Sequence, residues 1–357
     1  MKLIVYSRHQ RLGASSRYRS IQYFPILEQF GIEVVHRPFF TDNYLRNKAN
    51  KTVRAFEIAR AYIARFKSLL RESRKYNTVF FEKELLPFTP HWIEVFFLKR
   101  FGASIIDFDD AIWYAYDRSR WRLIRKIGAS KFPALVKQCN LTIAGSHYLQ
   151  KQCNDWMATE CLFIPTSIPN AKYFGQGLAQ EKTADVVWIG SDSTLQYLDA
   201  IMPALGRIVE SFKISVRVIG PSRPGDRQYP SFVQYIPWSE KTEVDLLATS
   251  KVGIMPLPDE PFERGKCAFK LIQYMGVGIP FIASPVGENK FLCSATLGGI
   301  SAESESEWID AITMLLQSES TREKMGKHAY TNFLNGYTTE ANGQKIATSI
   351  LRISSHK

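Results

Sequence analysis

The sequence lacks features that define several classes of protein. Its 357 residues contain no uncharged apolar run of the length, about 18 residues, that crosses a bilayer as a helix. The first residues, MKLIVYS, are followed at once by Arg8 and Arg11, without the apolar stretch and small-residue cleavage site of a signal peptide. These absences predict a cytoplasmic protein with no transmembrane helix.

Cysteine is scarce, and the five that occur form no C-x-x-C pair. Their odd number and spacing indicate reduced thiols in a cytosolic protein and suggest no metal cage. The loop after the first predicted strand lacks G-x-G-x-x-G, which argues against a bound dinucleotide.

Positive charge is concentrated in one half of the chain. Residues Met1 to Ser167 carry 27 Lys and Arg against 14 Asp and Glu, a net charge of +13, and the remaining residues carry 19 against 20. Because a basic excess attracts anions, we expect the first half to meet nucleic acid, an anionic bilayer or a phosphorylated substrate. Composition alone does not choose among these partners.

Short apolar runs alternate with helical patterns, which is typical of α/β proteins with parallel sheets. The predicted strands are Lys2–Ser7, Ile32–His36, Thr78–Glu82, Ser104–Asp107, Leu141–Ser146, Asp185–Ile189, Ile214–Gly220, Val233–Pro237, Lys251–Pro258, Ile279–Ser284 and Gly298–Ser301. The polar, glycine-bearing stretch Gly175–Thr183 predicts a linker. We therefore expect two domains, 1–170 and 171–337.

The loop after the first strand carries a candidate anion site. Gly13, Ser15, Ser16 and Arg17 stand at a predicted helix start, where backbone N–H groups point outward and the helix dipole favours negative charge.

Three carboxylates follow the fourth predicted strand in the stretch DFDDAIW, among them Asp109 and Asp110. Crowding would raise the pKa of one of them enough for work as a base. Capping of the next helix is the alternative. A divalent metal is a further possibility, although no imidazole or additional carboxylate is nearby in sequence.

Tyr44–Tyr76 is the most basic segment of the chain, and apolar residues recur in it at helical spacing. The apolar stripe consists of Val53, Phe56, Ala59, Ile63, Phe66 and Leu70. The stripe would pack on the sheet with a solvated basic back, or the helix would rest on anionic lipid, where each basic residue contributes about 1 kcal/mol; the two can hold together. The residues predicted to contact the membrane are Arg54, Arg60, Arg65, Lys67 and Arg71.

Two stretches of the second half favour phosphate binding. In the first, Gly190 permits close backbone approach, and Ser191, Ser193 and Thr194 surround a predicted helix start. In the second, a polar loop after a buried strand leads into another helix, and it presents Arg264, Lys266 and Lys270. Two lysines and an arginine beside a helix start suit a diphosphate.

The stretch from Pro258 to Lys290, PDEPFERGKCAFKLIQYMGVGIPFIASPVGENK, resembles the donor-site signature of retaining GT-B glycosyltransferases of the group 1 (family 4-like) type. That signature is E-x(7)-E followed by small residues and PVIAS. Here Gln273 stands at the second glutamate, Gly265 lies eight residues earlier, and Glu263 is displaced by two. The stretches WIGSDSTLQYL and DFDDAIW are similar to those of a bacterial subgroup of the family.

The resemblance implies two Rossmann-like domains that face each other across a cleft, with a C-terminal helix of about 338–357 that returns to the first domain. It also implies hexosyl transfer, with retention, from a nucleotide diphosphate sugar to a hydroxyl of a bacterial envelope glycan (capsule, O-antigen or exopolysaccharide). The acceptor would be linked to polyprenyl diphosphate, and the enzyme would lie on the inner face of the cell membrane.

Site roles follow from the same resemblance. Lys266, Lys270 and Arg264, with the Gly190–Thr194 turn, would neutralise the leaving diphosphate of a UDP- or GDP-sugar. Glu263 would contact the donor sugar, and Gln273 the ribose. Asp109 and Asp110 would orient or deprotonate the acceptor hydroxyl, although the departing phosphate is generally thought to take its proton. No cofactor or metal is required on this account.

Three other interpretations remain open. A nucleotide-sugar epimerase or phosphorylase can share the fold. A nucleic-acid-binding protein would use the basic segment, with Tyr44, Tyr62, Phe66 and Tyr76 among its arginines. Gln273 in place of the glutamate is compatible with a catalytically silent scaffold.

Overall fold

The computed structural model describes residues 1–50, 52–220 and 229–355. The chain forms two compact units. The first comprises Met1–Ser167, Gly265–Cys267 and the chain from Thr339 onward, and the second comprises Ile168–Arg264 and Ala268–Thr338. The last two residues of the predicted return segment, His356 and Lys357, lie outside the described residues.

The first unit is built on a six-stranded parallel sheet of order β2-β1-β3-β4-β5-β6. Its strands are β1 Lys2–Tyr6, β2 Glu33–His36, β3 Thr78–Glu82, β4 Ala103–Phe108, β5 Leu141–Ala144 and β6 Cys161–Phe163. Its first helices are α1 Ala14–Arg19, α2 Phe24–Gln29, α3 Asp42–Ala49, α4 Ala55–Glu72, α5 His91–Leu98, α6 Trp113–Asp117, α7 Arg122–Gln138 and α8 His147–Asp155, with a 3₁₀ turn at Ile21–Tyr23. The strands predicted for this half therefore form close to their predicted bounds.

Alternate residues of each strand face opposite layers of helices, as the period of two in a strand requires. Ile4 and Tyr6 pack with the helix residues Leu69, Phe97 and Phe132, so α4, α5 and α7 cover one face of the sheet. Leu3 and Val5 face the other layer, which includes Tyr23 and Leu27. Both faces are covered, and this explains why β3 and β4 read as continuous apolar runs.

The second unit repeats this architecture with strand order β12-β11-β10-β7-β8-β9, all parallel. Its strands are β7 Ala184–Ile189, β8 Val216–Gly220, β9 Val233–Pro237, β10 Ser250–Met255, β11 Phe281–Ala283 and β12 Gly299–Ser301. Its helices are α9 Asn170–Tyr173, α10 Asp192–Asp199, α11 Met202–Phe212, α12 Glu243–Ala248, α13 Pro261–Arg264, α14 Phe269–Val277, α15 Glu288–Thr296, α16 Glu305–Gln317 and α17 Glu319–Gly336, with a 3₁₀ turn at Gln176–Leu178. Two parallel sheets wrapped by helices confirm the predicted fold class.

The last helix, α18 (Thr339–Ser355), belongs to the first unit. Its Ile346, Ala347 and Ile350 are buried in one core with Leu3 and Val5 of β1. This is the predicted return of the C-terminal helix. Among the described residues, no helix combines the length and hydropathy that a membrane crossing requires.

The basic segment departs from its prediction in two respects. It forms two helices, α3 and α4, and much of the predicted apolar stripe is exposed: Phe56 is 57% exposed and Ile63 56%. The face of α4 that packs inward instead carries Leu69 and the arginine Arg65.

The predicted membrane contact of Arg65 is wrong, because its side chain is 3% exposed. Its guanidinium donates hydrogen bonds to the carbonyl oxygens of Leu85 at 3.2 Å, Ser7 at 2.9 Å and Arg37 at 3.1 Å. It also lies over the ring of Tyr6, 4.6 Å from the centroid. Arg65 therefore ties α4 to the segments that follow β1, β2 and β3. Arg54, Arg60, Lys67 and Arg71 are exposed, and their contact with a membrane stays a prediction.

We predict that Arg65→Met lowers the free energy of unfolding by about 3 kcal/mol, because three buried carbonyl oxygens lose their donor. The matched substitution of an exposed arginine on the same helix, Arg60→Met, is expected to change it by less than about 0.5 kcal/mol. Urea unfolding followed by circular dichroism measures both. Equal effects of the two substitutions would contradict the structural role of Arg65.

Candidate functional site

The second sheet changes its direction of growth between β7 and β10. β8 and β9 follow on one side of β7, and β10, β11 and β12 follow on the other. In open parallel sheets, ligands bind beyond the carboxyl ends of the strands at such a switch point. β7 ends at Ile189, directly before the Gly190 turn, and β10 ends at Met255, before the polar loop. The two stretches predicted to bind phosphate therefore leave the sheet side by side.

Two contacts join these stretches. The ammonium of Lys270 lies 5.4 Å from the ring centroid of Trp188, on the strand that leads to Gly190. The hydroxyl of Tyr197, on α10, donates a 2.5 Å hydrogen bond to the buried carboxylate of Glu263. The structure thus brings together Gly190 and Lys270, which are far apart in sequence, and fixes the direction of the Glu263 side chain.

Position 190 has no room for a side chain, so glycine is required there. A Cβ at this position would lie 2.3 Å from the ring of Trp188 and 2.6 Å from Oγ1 of Thr194. Ser191 is the residue directly before α10 and forms a capping box with its first turn. Oγ1 of Thr194 accepts a hydrogen bond from the Ser191 N–H at 3.1 Å, and the hydroxyl oxygens of Ser191 and Ser193 are 3.0 Å apart. The turn is exposed and pre-formed.

The polar loop is held by its own backbone and by an ion pair. Arg264 forms a two-point ion pair with Asp259, at 2.6 and 2.9 Å. Gly287, with φ +53°, packs so closely that a Cβ would lie 2.3 Å from the carbonyl oxygen of Arg264. Ala268, directly before α14, adopts a left-handed φ of +50°. Non-glycine residues rarely hold this conformation, and such strain clusters at binding sites.

Gln273 lies inside the second unit, 3% exposed, and its amide donates to the hydroxyl of Tyr173 at 3.1 Å. Tyr173 donates in turn to Glu243, which also accepts from Trp238 at 2.7 Å and pairs with Lys172 at 2.5 Å. Glu243 is therefore the centre of a buried polar network that the sequence analysis missed. The ribose contact assigned to Gln273 stays a prediction.

The first sheet has its own switch point, between β1 and β3. Here the predicted anion loop meets carboxylates: Ser15 donates to Asp109 at 2.5 Å and Ser16 donates to Glu82 at 2.6 Å. Gly13 lets the loop pass His9, whose Cβ would lie 2.4 Å from a Cβ at Gly13.

Arg17, the fourth residue of the predicted loop, is 7% exposed and lies over the ring of Tyr18, 4.8 Å from the centroid. The hydroxyls of Ser15 and Ser16 are engaged by carboxylates in this structure, and an anion-binding role for the loop remains a prediction.

Lys83 is the residue that organises this end of the first sheet. It is 6% exposed, adopts a left-handed φ of 60°, and its ammonium lies 2.7 Å from Asp109 and 3.4 Å from Asp110. Asp107, the third carboxylate of the cluster, is separately paired with the buried guanidinium of Arg19. Capping is not their role, because none of the three aspartates is the residue before α6, which is Ile112.

The environments of Asp109 and Asp110 move their pKa values in opposite directions. Burial favours the neutral acid at Asp109, but the charge of Lys83 and the Ser15 hydroxyl outweigh it, so the pKa of Asp109 is lowered. Burial raises the pKa of Asp110; Lys83 offsets only part of this, and the charge of Asp109 adds to the rise. These opposite shifts favour an ionised Asp109 and make Asp110 the more basic of the two carboxylates.

The short segment Gly265–Cys267 packs in the first unit, beside these aspartates. The thiol of Cys267 donates to the carbonyl oxygen of Asp109 at 3.0 Å, and the positive charge of Lys266 lowers the pKa of Asp110. A Cβ at Gly265 would lie 2.4 Å from that of Ala111, so only glycine fits there.

Sequence reasoning missed Glu82, Lys83 and His9. Glu82 is the last residue of a predicted strand and Lys83 follows it, and charged residues at a strand's carboxyl end are the signal that would have found them. Burial and the charges of Arg8 and Lys83 lower the pKa of His9 to about 4, so its imidazole is neutral at pH 7. Among residues 1–50, 52–220 and 229–355, no three His, Cys, Asp or Glu side chains form a group that could hold a metal ion.

The fold was compared with known proteins. No family model matches the sequence, and no curated protein matches it. Sucrose-phosphate synthase from Thermosynechococcus elongatus matches in structure over 100% of both chains, with a TM-score of 0.72 and 14% identity. HepE from Anabaena, solved with UDP and glucose, covers 99% of this chain and 100% of its own, with a TM-score of 0.72 and 12% identity.

A UDP-forming trehalose-phosphate synthase from Burkholderia xenovorans matches over 99% of both chains, with a TM-score of 0.65 and 10% identity. The fold is GT-B. At these identities the likeness concerns the GT-B fold alone, and the roles of the individual site residues rest on the geometry described above.

Glu82 provides a pH-dependent test of this site. Burial raises its pKa to about 6, although the Arg8 N–H and the hydroxyls of Ser16 and Ser20 partly offset the rise. A carboxyl whose folded-state pKa exceeds its unfolded value binds its proton more tightly in the folded state, so its contribution to stability is lost as the pH rises from about 4.5 to about 6.

We predict that the unfolding free energy of the wild type, relative to Glu82→Gln, increases by about 2 kcal/mol when the pH falls from 7 to 4.5. Urea unfolding at several pH values measures this difference. The exposed control, Glu33→Gln, is expected to show no such slope. A flat difference, or one of opposite sign, would contradict a buried, ionised Glu82 at neutral pH.

Proposed function

We propose that the protein is a retaining hexosyltransferase that moves a sugar from a nucleotide diphosphate sugar to a hydroxyl of a bacterial cell-envelope glycan carried on polyprenyl diphosphate. The donor is a UDP- or GDP-sugar, and the enzyme works at the inner face of the cell membrane, with α4 toward it. No metal or other cofactor takes part.

One observation carries the proposal: the Gly190 turn and the Glu263–Lys270 stretch meet at the switch point of the second sheet, through Trp188–Lys270 and Tyr197–Glu263. A cation, a pre-formed helix start and a glycine that admits close backbone approach are what a diphosphate requires. HepE, which has the same fold, was solved with UDP-glucose, and this supports a uridine donor.

In the proposed reaction, negative charge builds on the diphosphate as the bond to the sugar breaks. Lys270, Arg264 and Lys266, together with the N–H groups of the Gly190–Thr194 turn, stabilise this charge, and fixed cations and dipoles of this kind are the largest contribution in many enzymes. Glu263, oriented by Tyr197, contacts the donor sugar, and Gln273 contacts the ribose.

At the acceptor end, Asp110 accepts a hydrogen bond from the attacking hydroxyl. Its raised pKa lets it accept a proton at a pH closer to neutrality than an ordinary carboxylate. Asp109 stays ionised and, with Lys83, keeps Asp110 in position. The departing phosphate remains the final proton acceptor in a retaining reaction of this type.

A thermal-shift screen against UDP, GDP, ADP, TDP and CMP, each with and without EDTA, tests the donor assignment. We expect UDP to raise the melting temperature whether or not EDTA is present, since a ligand at 100 times its Kd stabilises the folded state by about 2.7 kcal/mol. A shift that disappears with EDTA would overturn the metal-free account. No shift with any nucleotide would favour a silent scaffold or a nucleic-acid-binding protein.

Replacement of Lys270 tests the phosphate site. Lys270→Ala is expected to lower kcat for donor turnover on the order of 10²–10³-fold, because a fixed charge at the leaving group is lost. Lys324→Ala, at an exposed lysine of α17 in the same unit, is the control and should leave kcat unchanged. Activity of the Lys270 variant within a few-fold of the wild type, with an unchanged melting temperature, would rule out this role.

A further inference from the structure

The outer surface of one helix layer of the first unit is unusually apolar. α4, α5 and α7 cover the same face of the sheet, and α5 contacts the other two: the ring centroids of Phe66 and Phe97 are 5.4 Å apart, and Lys131 of α7 pairs with Glu94 of α5 at 2.7 Å. Large apolar side chains are nevertheless exposed on all three helices, among them Ile63 on α4, Trp92 on α5 and Leu123 on α7. Buried packing within the unit does not account for them.

The two most exposed tryptophans described lie on this layer. Trp92, on α5, is 65% exposed, and Trp121, directly before α7, is 62% exposed. Phe96 and Leu123, each near one of them in sequence, are 51% and 68% exposed. Tryptophan is well buried on average in proteins, and an exposed apolar patch rimmed by charge marks an interaction surface.

Cations surround these side chains. The segment from Arg118 to Lys126, RSRWRLIRK, contains five basic residues and no acidic one. Arg120 stacks on Trp121, with its guanidinium carbon 5.0 Å from the ring centroid, and Arg100 stacks on Phe96 at 4.2 Å. Each exposed aromatic ring in these pairs therefore carries a cation at its face.

The position of this segment is electrostatically unfavourable for the isolated protein. The first turn of α7 contains no acidic residue, and Arg122 and Arg125 lie within its first four residues. A helix N-terminus carries a partial positive charge that repels cations. An anionic partner would offset this repulsion, and an apolar partner would bury Trp121 and Leu123. The surface of an anionic phospholipid bilayer offers both negative charge and apolar chains.

We propose that the outer surface of the α4–α5–α7 layer docks on an anionic phospholipid bilayer, with Trp92, Phe96, Trp121 and Leu123 entering the interfacial zone and the arginines of the 118–126 segment contacting head-group phosphates. Trp side chains prefer this zone, since their ring is apolar and their N–H is polar. The inference rests on the proposed function for the presence of a membrane, and it adds the side chains that insert.

Vesicle co-sedimentation tests the docking surface. The full chain is expected to bind vesicles of phosphatidylglycerol and phosphatidylcholine much more strongly than vesicles of phosphatidylcholine alone. Trp121→Ser/Leu123→Ser should lower the partition coefficient at least about tenfold, as the contribution of buried apolar surface predicts. Serine is favoured directly before a helix, so this variant should keep its fold.

Charge is tested separately. Each basic residue near an anionic surface contributes a factor of about five in binding, so Arg120→Glu/Arg122→Glu should lower binding by about 25-fold or more. The matched controls lie in the second unit: Phe212→Ser/Met314→Ser for exposed apolar side chains and Lys324→Glu/Lys327→Glu for charge. Both controls should bind within about twofold of the wild type.

Equal binding to both kinds of vesicle, or equal losses in the variants and their controls, would overturn the proposal. So would a concentration-dependent dimer in sedimentation velocity that the Trp121/Leu123 variant abolishes, since a second copy would then cover the surface. The UDP thermal shift, measured on the same proteins, separates the two hypotheses. A variant that loses vesicle binding but keeps the UDP-induced rise in melting temperature is altered in the docking surface alone. Vesicle binding by a protein that shows no such rise overturns only the donor assignment.

Discussion

Neutralisation of buried charge at the carboxyl ends of β3 and β4 is the constraint on which the first unit depends. Glu82 and Lys83 are buried where β3 ends, Asp109 and Asp110 lie partly buried beside Lys83, and a buried charge is costly unless it is paired. Lys83 has a left-handed backbone conformation, and its ammonium lies 2.7 Å from Asp109 and 3.4 Å from Asp110. The charged side chains of this cluster therefore hold one another in place, and the surrounding sheet holds the strained backbone.

The candidate site residues of the second unit are positioned differently from those of the first. Its candidate phosphate-binding residues lie at an exposed helix start and on a loop. Arg264 is paired with Asp259, while Lys270 lies over the ring of Trp188 and Glu263 accepts from the hydroxyl of Tyr197. Each unit thus presents its candidate site residues at its own switch point. In the first they are pre-paired, and in the second they are oriented by aromatic residues.

Much of this arrangement could be predicted from the sequence, because strands buried on both faces read as apolar runs and the loops that follow them are short. The Gly190 turn and the Lys270 helix were found in this way. The partners of Arg65 were not, since its three carbonyl acceptors come from three separate segments and no local pattern reports them. The Gln273–Tyr173–Glu243 network was missed for the same reason, as its members are up to 100 residues apart.

The attachment of α18 to the first unit has a consequence for synthesis of the protein. Ile346, Ala347 and Ile350 complete a core that also contains residues of β1, β3, β4, β5 and α2. The ribosome must therefore make the whole of the second unit before the first can be closed. During translation, α2 can already pack on this face of the N-terminal sheet, but part of the face lacks its cover until α18 emerges, so the first unit is completed after the second.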